Sequence, residues 1–297
     1  MRTLGVTDTV SGAPDVVVVL FSLLTQLGDA WFLFLSLSLL YWVAPRRVAP
    51  DARRVAALLI AFGLAAATLT LALKTVFALP RPPGATVATP PGWLPPAGHG
   101  LFAWAATGDG FGFPSGHALG ATVVYGGLAA LATAGDRTRR LLAAGSVVSL
   151  VALSRLVLGV HFLADVVVGV AFGTGLLWTA LRATDRDPTR GFALATAFGV
   201  AALAATVATG HPDHAADAVA GFGGALGGLL GWYAVERRGV ERVRVGPAAL
   251  APTLLVAGGL WVVATEAGLA LPVVAALDLF AVFLVVALPA LVDAVEK

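Results

Sequence analysis

The sequence predicts an all-α, polytopic membrane bundle of about nine transmembrane helices. Three observations carry that prediction. Hydrophobic residues make up 58% of the 297 and charged residues only 12%, about half of the roughly 25% found in soluble domains. Apolar stretches of near-spanning length recur along the whole chain. Arginines gather in every second connection between those stretches, as the positive-inside bias requires. Cysteine is absent, which excludes a disulfide framework, a thiol nucleophile and a thiolate metal site.

The candidate spans lie at 16–43, 55–79, 116–135, 141–160, 162–181, 191–209, 215–235, 248–265 and 270–292. The first is longer than the roughly 20 residues that cross a bilayer. Gly28-Asp29 is the expected break, leaving residues 14–27 as an interfacial or re-entrant helix. If those residues cross instead, the N-terminus changes side and nothing downstream is altered. Neither a substantial basic region nor a small-x-small site marks a cleaved signal peptide. Arg46, Arg47, Arg53 and Arg54 follow the first span, and Arg137, Arg139 and Arg140 the third. Arg182, Arg186 and Arg190 follow the fifth, Arg237, Arg238, Arg242 and Arg244 the seventh, and Lys297 ends the chain. These segments are expected in the cytoplasm, with Trp42, Trp178 and Trp232 near the matching ends of their spans. The longest connection on the other side, 80–115, is rich in Pro and Gly. With Trp93, Phe102 and Trp104 it reads either as a lid at headgroup level or as an irregular loop. Residues 1–185 are expected to form a core carrying the site, and 186–297 a four-helix extension. In that extension Gly223, Gly224, Gly227, Gly228 and Gly231 have the small-x-x-x-small spacing of close helix packing.

Removing the residues that set topology, together with Arg2, from the 19 Lys and Arg leaves three: Lys74, Arg81 and Arg155. Each belongs to a short motif. The motifs are Lys74-x6-Arg81-Pro82, Pro114-Ser115-Gly116-His117, and Ser154-Arg155-x5-His161-x3-Asp165. A basic residue in hydrocarbon costs about 2.5–3.5 kcal/mol on insertion scales, so these need a reason. Their depth supplies one. Lys74 lies at the far end of the second span, about 30 Å from its cytoplasmic start, and Arg155 roughly 21 Å along the fourth. His117 opens the third span from the same side, and His161 occupies the turn between the fourth and fifth. Separate segments thus bring polar residues to one level.

Ser115-Gly116-His117 starts a helix, where free N–H groups and the positive dipole end bind phosphate oxygens. An ordinary Ser N-cap is the plainer reading of that tripeptide alone. His161 and Asp165 share one helix face. The carboxylate is expected to accept the imidazole Nδ1–H and leave Nε2 free to attack phosphorus.

These three motifs resemble the type 2 phosphatidic acid phosphatase superfamily, whose fold is shared with vanadium haloperoxidases. The match holds at every signature position over about 74–165, with the surrounding core at 16–181. The resemblance implies a metal-independent phosphomonoesterase or pyrophosphatase that works through a phosphohistidine and uses no cofactor. It implies that Lys74, Arg81, Arg155, Ser115 and the Gly116 N–H hold the phosphoryl oxygens. His161 is then the nucleophile oriented by Asp165, and His117 protonates the leaving oxygen and assists water. Membrane relatives usually have six core spans, one more than the five counted here.

The expected substrate is a lipid phosphate or polyprenyl (di)phosphate, handled in the plasma membrane at the extracytoplasmic face. The bilayer is the expected partner, and nucleic acid is not. An alcohol acceptor would make the protein a phosphotransferase, and loss of chemistry would leave a lipid transporter or scaffold. A haloperoxidase is disfavoured by the apolar composition. His211-Pro212-Asp213-His214 with Asp217 has metal-like spacing but reads as a polar interhelical turn. His99 and Asp109 read as solvated loop residues or as lining of the site mouth. Asp29 and Gln26 read as helix-capping residues, and Asp278 takes no role.

Overall fold

The computed structural model describes residues 5, 7, 12–240, 243 and 245–296. The basic residues Arg2, Arg242, Arg244 and Lys297 lie outside these. Eleven α-helices are described: α1 (Asp15–Leu24), α2 (Ala30–Val43), α3 (Ala52–Phe77), α4 (His99–Ala106), α5 (Gly116–Leu131), α6 (Arg137–Val157), α7 (Leu163–Ala183), α8 (Pro188–Thr209), α9 (Ala215–Arg238), α10 (Pro247–Glu266) and α11 (Leu271–Glu296). Among the described residues there is no strand. Among the described residues, seven helices are long and apolar enough to cross a membrane, or eight when a bent pair counts as one span.

Two of the nine expected spans differ from simple crossings. The first breaks at the expected place. A 3₁₀ turn at Thr25–Gly28 follows α1, and α2 starts afresh at an angle of 49°. Asp29 is extended and its carboxylate accepts from the Trp31 N–H at 3.4 Å, so a new helix is capped there. The third span is shorter than 116–135. Helix α5 has 16 residues, about 24 Å at 1.5 Å rise, because Ala132 turns extended and the Thr133 N–H donates to Val48 O at 2.9 Å. It is packed among α3, α6 and α7. A helix lined by protein need not match the hydrocarbon thickness.

Helix α3 is the spine. Its residues from Ala56 to Ala66 are almost wholly buried, and α2, α5, α8 and α9 all pack along it. Its two ends carry different chemistry. At its start, Arg53 is 4% exposed and donates to the carbonyls of Tyr41, Trp42 and Val243. That guanidinium satisfies acceptors left open where α2 ends. Arg54 lies between Asp187 and Glu236 at 3.5 and 3.6 Å, tying α3 to the start of α8 and the end of α9. Lys74 sits in the last turn, at the opposite end.

The last helix returns to α2. Tyr41 Oη donates to Val286 O at 2.6 Å and Trp42 Nε1 to Val285 O at 2.8 Å. The glycine stripe of α9 is a packing surface, as its spacing predicts. A Cβ at Gly223 or Gly227 would collide with the α11 backbone at Ala275 or Leu279, and one at Gly228 with the Phe192 ring of α8. Asp278 is buried on α11, and its Oδ2 has no hydrogen-bond partner among the described residues. In the long connection, α4 buries Phe102 while Trp93 and Trp104 stay exposed. His99 Nε2 donates to Leu94 O at 2.9 Å, so it closes a local turn.

Gly227→Leu is therefore expected to destabilise by about 1–3 kcal/mol or more through overpacking. Gly258→Leu, where nothing lies within 4 Å of an added Cβ, should stay within about 0.5 kcal/mol. Thermal unfolding of both variants in one detergent checks this.

Candidate active site

The three motifs meet at the end of the bundle opposite Arg53 and Arg54. Arg81 makes the junction. It lies just past α3, where burial outweighs its acidic neighbours and holds its pKa below the ordinary value. Its Nε donates to Asp109 O at 2.7 Å, and its Nη1 to Val160 O at 3.0 Å. The same Nη1 lies 3.0 Å from His161 Nε2. A guanidinium has donors only, so Nε2 accepts, and the ring proton resides on Nδ1. That contact sets the imidazole tautomer, with the Nε2 lone pair turned toward the cations. Two glycines make room for Arg81. A Cβ at Gly108 would lie 2.8 Å from its Nη1, and one at Gly112 3.1 Å from its Cα.

His161 is 1% exposed and Asp165 fully buried. Their Nδ1 and Oδ2 atoms are 3.5 Å apart, and His161 Nδ1 has no hydrogen-bond partner among the described residues. The expected Nδ1–H bond to the carboxylate is thus a 3.5 Å approach of a neutral ring rather than a formed hydrogen bond. The same Asp165 Oδ2 accepts the Phe162 N–H at 3.0 Å, closing the first turn of α7. Burial, then Arg81, Arg155, Lys74 and His117, hold the His161 pKa well below its ordinary value. The ring is therefore neutral at physiological pH, as a nitrogen nucleophile must be. The buried Thr7 hydroxyl donates to His161 O at 3.1 Å.

Ser115 caps α5 as expected. Its N–H donates to Asp165 O at 2.9 Å, and its Oγ accepts from Ala118 N at 3.5 Å. Gly169 on α7 permits that closeness, since a Cβ there would be 2.7 Å from Ser115 O. The N–H groups of Gly116 and His117 head the helix without an intrahelical acceptor. Arg155, 3% exposed, donates from Nη1 to Thr25 Oγ1 at 2.6 Å. Its Nε is buried without a partner among the described residues. Lys74 is within electrostatic range of both Arg81 and Arg155. The three cations thus lie within coulombic reach of one another, with Asp109, Asp217, Asp165 and Asp29 as the carboxylates that act on them. Buried like charges repel unless an anion joins them, and a tetrahedral oxyanion of charge −2 meets that need.

Two contacts were not foreseen. Asp29 does more than cap α2, for its Oδ2 lies 3.5 Å from His117 Nε2. The His211–Asp217 segment packs on the loop that carries the site. The Phe111 ring lies 4.9 Å from that of His211 and 5.2 Å from that of His214. His214 faces Asp213 and Asp217 at 3.6 and 3.7 Å, so this polar turn is a buttress between the α8–α9 connection and the Arg81–Ser115 connection. Aromatic periodicity and capping patterns carry no signal for either contact.

Residues 54–189 match the family model of the PAP2 superfamily, a segment that contains all three motifs. No curated protein and no solved structure matches the chain.

Gly108→Val would push the Arg81 guanidinium off its acceptors. Its affinity for inorganic phosphate or vanadate is expected to fall about tenfold or more, the loss of one charge-assisted contact of roughly 1.5–3 kcal/mol. Calorimetric titration against the parent protein measures it.

Proposed function

We propose that this chain, which belongs to the PAP2 superfamily through residues 54–189, is a membrane phosphatase acting on a lipid phosphate or polyprenyl (di)phosphate. The observation that carries the reading is the Arg81–His161 contact. It leaves Nε2 unprotonated within a cluster of three cations.

The reaction runs in two steps. His161 Nε2 attacks phosphorus, the P–O ester bond breaks, and His117 gives its proton to the departing oxygen. Lys74, Arg81, Arg155, Ser115 and the Gly116 N–H hold the equatorial oxygens, whose charge is greatest in the transition state. Water then attacks the phosphohistidine while His117 takes its proton, and phosphate leaves with Nε2 restored. Asp165 sits beside the Nδ1–H and favours the same tautomer, and Asp29 orients the His117 ring. The division at residues 185 and 186 separates this machinery from four helices that support it.

Topology supports an extracytoplasmic site in the plasma membrane. The described arginine-rich connections all lie at the end of the bundle away from His161, and the positive-inside bias assigns that end to the cytoplasm. Spans beside the pocket suit a substrate that keeps its tail in the bilayer.

The test is phosphate release by purified protein in nanodiscs from such lipids, without divalent metal. His161→Ala should lower turnover on the order of 10³-fold or more. A mutant rate equal to the parent's sinks the mechanism. Asp29→Asn removes the charge facing His117 and keeps the shape. It should lower kcat by about 10- to 100-fold, the scale of a misaligned catalytic group, with KM little changed. A rise in KM alone would make Asp29 a binding residue instead.

A further inference from the structure

The turn between α8 and α9 lies outside residues 54–189, yet it reaches the rim of the cation cluster. Gly210 ends α8 in the left-handed region at φ 70°, and a 3₁₀ turn follows at Pro212–His214. The His211 N–H donates back to Thr206 O at 3.2 Å, and the His214 N–H to His211 O at 3.1 Å. The two imidazoles stand 6.4 Å apart, with the Phe111 ring against both. Phe111 meets His211 edge-on at 4.9 Å and His214 at a tilt at 5.2 Å, inside the roughly 4.5–7 Å range of favourable ring pairs. The His214 ring is itself fixed. Asp213 lies 3.6 Å from its Nε2 and Asp217 3.7 Å from its Nδ1, and its side chain is 17% exposed.

This clamp acts two residues from the junction of the site. Asp109 O accepts Arg81 Nε at 2.7 Å. Gly110, between Asp109 and Phe111, runs against the imidazole, since a Cβ there would lie 3.6 Å from His214 Cε1. The Gly108 N–H donates to Ala85 O and the Gly112 N–H to Leu79 O, each at 2.8 Å. Those bonds hold the ends of the 108–112 segment, and the two imidazoles hold its middle. Asp217 is also within coulombic reach of Lys74, so the turn stands beside both cations contributed by the first motif. Below it α9 abuts α3, where a Cβ at Gly221 would lie 2.7 Å from Thr68 Cγ2.

We propose that His214, together with His211, is a positioning residue of the site: through Phe111 it holds Asp109 O where Arg81 Nε meets it, and so fixes the guanidinium for the phosphoryl oxygens. The inference rests on the phosphatase reading and makes the C-terminal extension part of the site rather than its support alone. The 108–112 segment belongs to no helix, so its order must be imposed from outside. A hydrogen bond of 2.7 Å is gone by about 3.6 Å, and a misplacement of about 1 Å in a positioned group costs on the order of 10²-fold.

The experiment uses the full chain in nanodiscs and measures orthovanadate affinity by calorimetry, with thermal unfolding of each variant alongside. His214→Ala and Phe111→Ala should each weaken vanadate about tenfold. His214→Phe keeps an aromatic ring against Phe111 and should return affinity to within about threefold of the parent. Arg81→Lys removes the fork that the clamp serves, so adding His214→Ala to it should change affinity about twofold or less. A full tenfold further loss in that background overturns the assignment. So does parent affinity in both alanine variants with lowered stability, the result of packing alone. Vanadate bound by the parent without phosphate release from any lipid phosphate overturns the phosphatase reading instead, because the affinities are read without turnover.

Discussion

The guanidinium of Arg81 joins three backbone segments that no helix connects: the end of α3, the loop at Asp109 and the turn at Val160–His161. Five donors in a rigid fork let one side chain do this. A lysine has the charge without the fork. The contact with Nε2 also decides where the His161 proton sits, so a structural tie and a chemical setting are the same interaction. The glycines at 108 and 112 follow from it, because the loop must close tightly around the guanidinium.

Around that junction the bundle concentrates positive charge where hydrocarbon would otherwise disfavour it. Arg155 is held from the α1–α2 turn by Thr25, Lys74 by its place in the last turn of α3, and the α5 N-terminus by Asp165 O. Each support comes from a different helix. The pocket is thereby built before an anion arrives, with little reorganisation left for the reaction itself. Opposite charge balance is found at the other end of α3, where Arg53 and Arg54 are spent on carbonyls and carboxylates that fasten the bundle.

Much of this was legible in the sequence, for identifiable reasons. Lys74, Arg81 and Arg155 stood out because topology left them unassigned, and helical rise placed them at one level with His117 and His161. The break at Gly28-Asp29 was visible because a glycine and a capping carboxylate interrupt an apolar run. The stripe from Gly223 to Gly231 was visible because its period matches a helix face. What was not legible depends on pairings distant in sequence. Asp29 looked like a cap, and nothing local indicates that it faces His117 from 88 positions away. His214 looked like part of a polar turn, and its partner Phe111 belongs to a connection without periodicity. The Asp165 carboxylate served two donors, Phe162 N–H and His161, and only the fold shows that the backbone took the hydrogen bond. The end of α5 at Leu131 depends on a bond to Val48, which no hydropathy window registers.

Arg81 keeps His161 Nε2 unprotonated, so that this nitrogen attacks phosphorus once the phosphoryl oxygens take over the Nη1 donor. The direct measurement is acid-sparing quench of the enzyme during turnover of a phosphorus-labelled lipid phosphate, followed by mapping of the phosphorylated residue and ring position. A base-stable, acid-labile phosphoryl group on His161 at Nε2 is expected. Label at Nδ1, on another residue, or on none despite active turnover would contradict it.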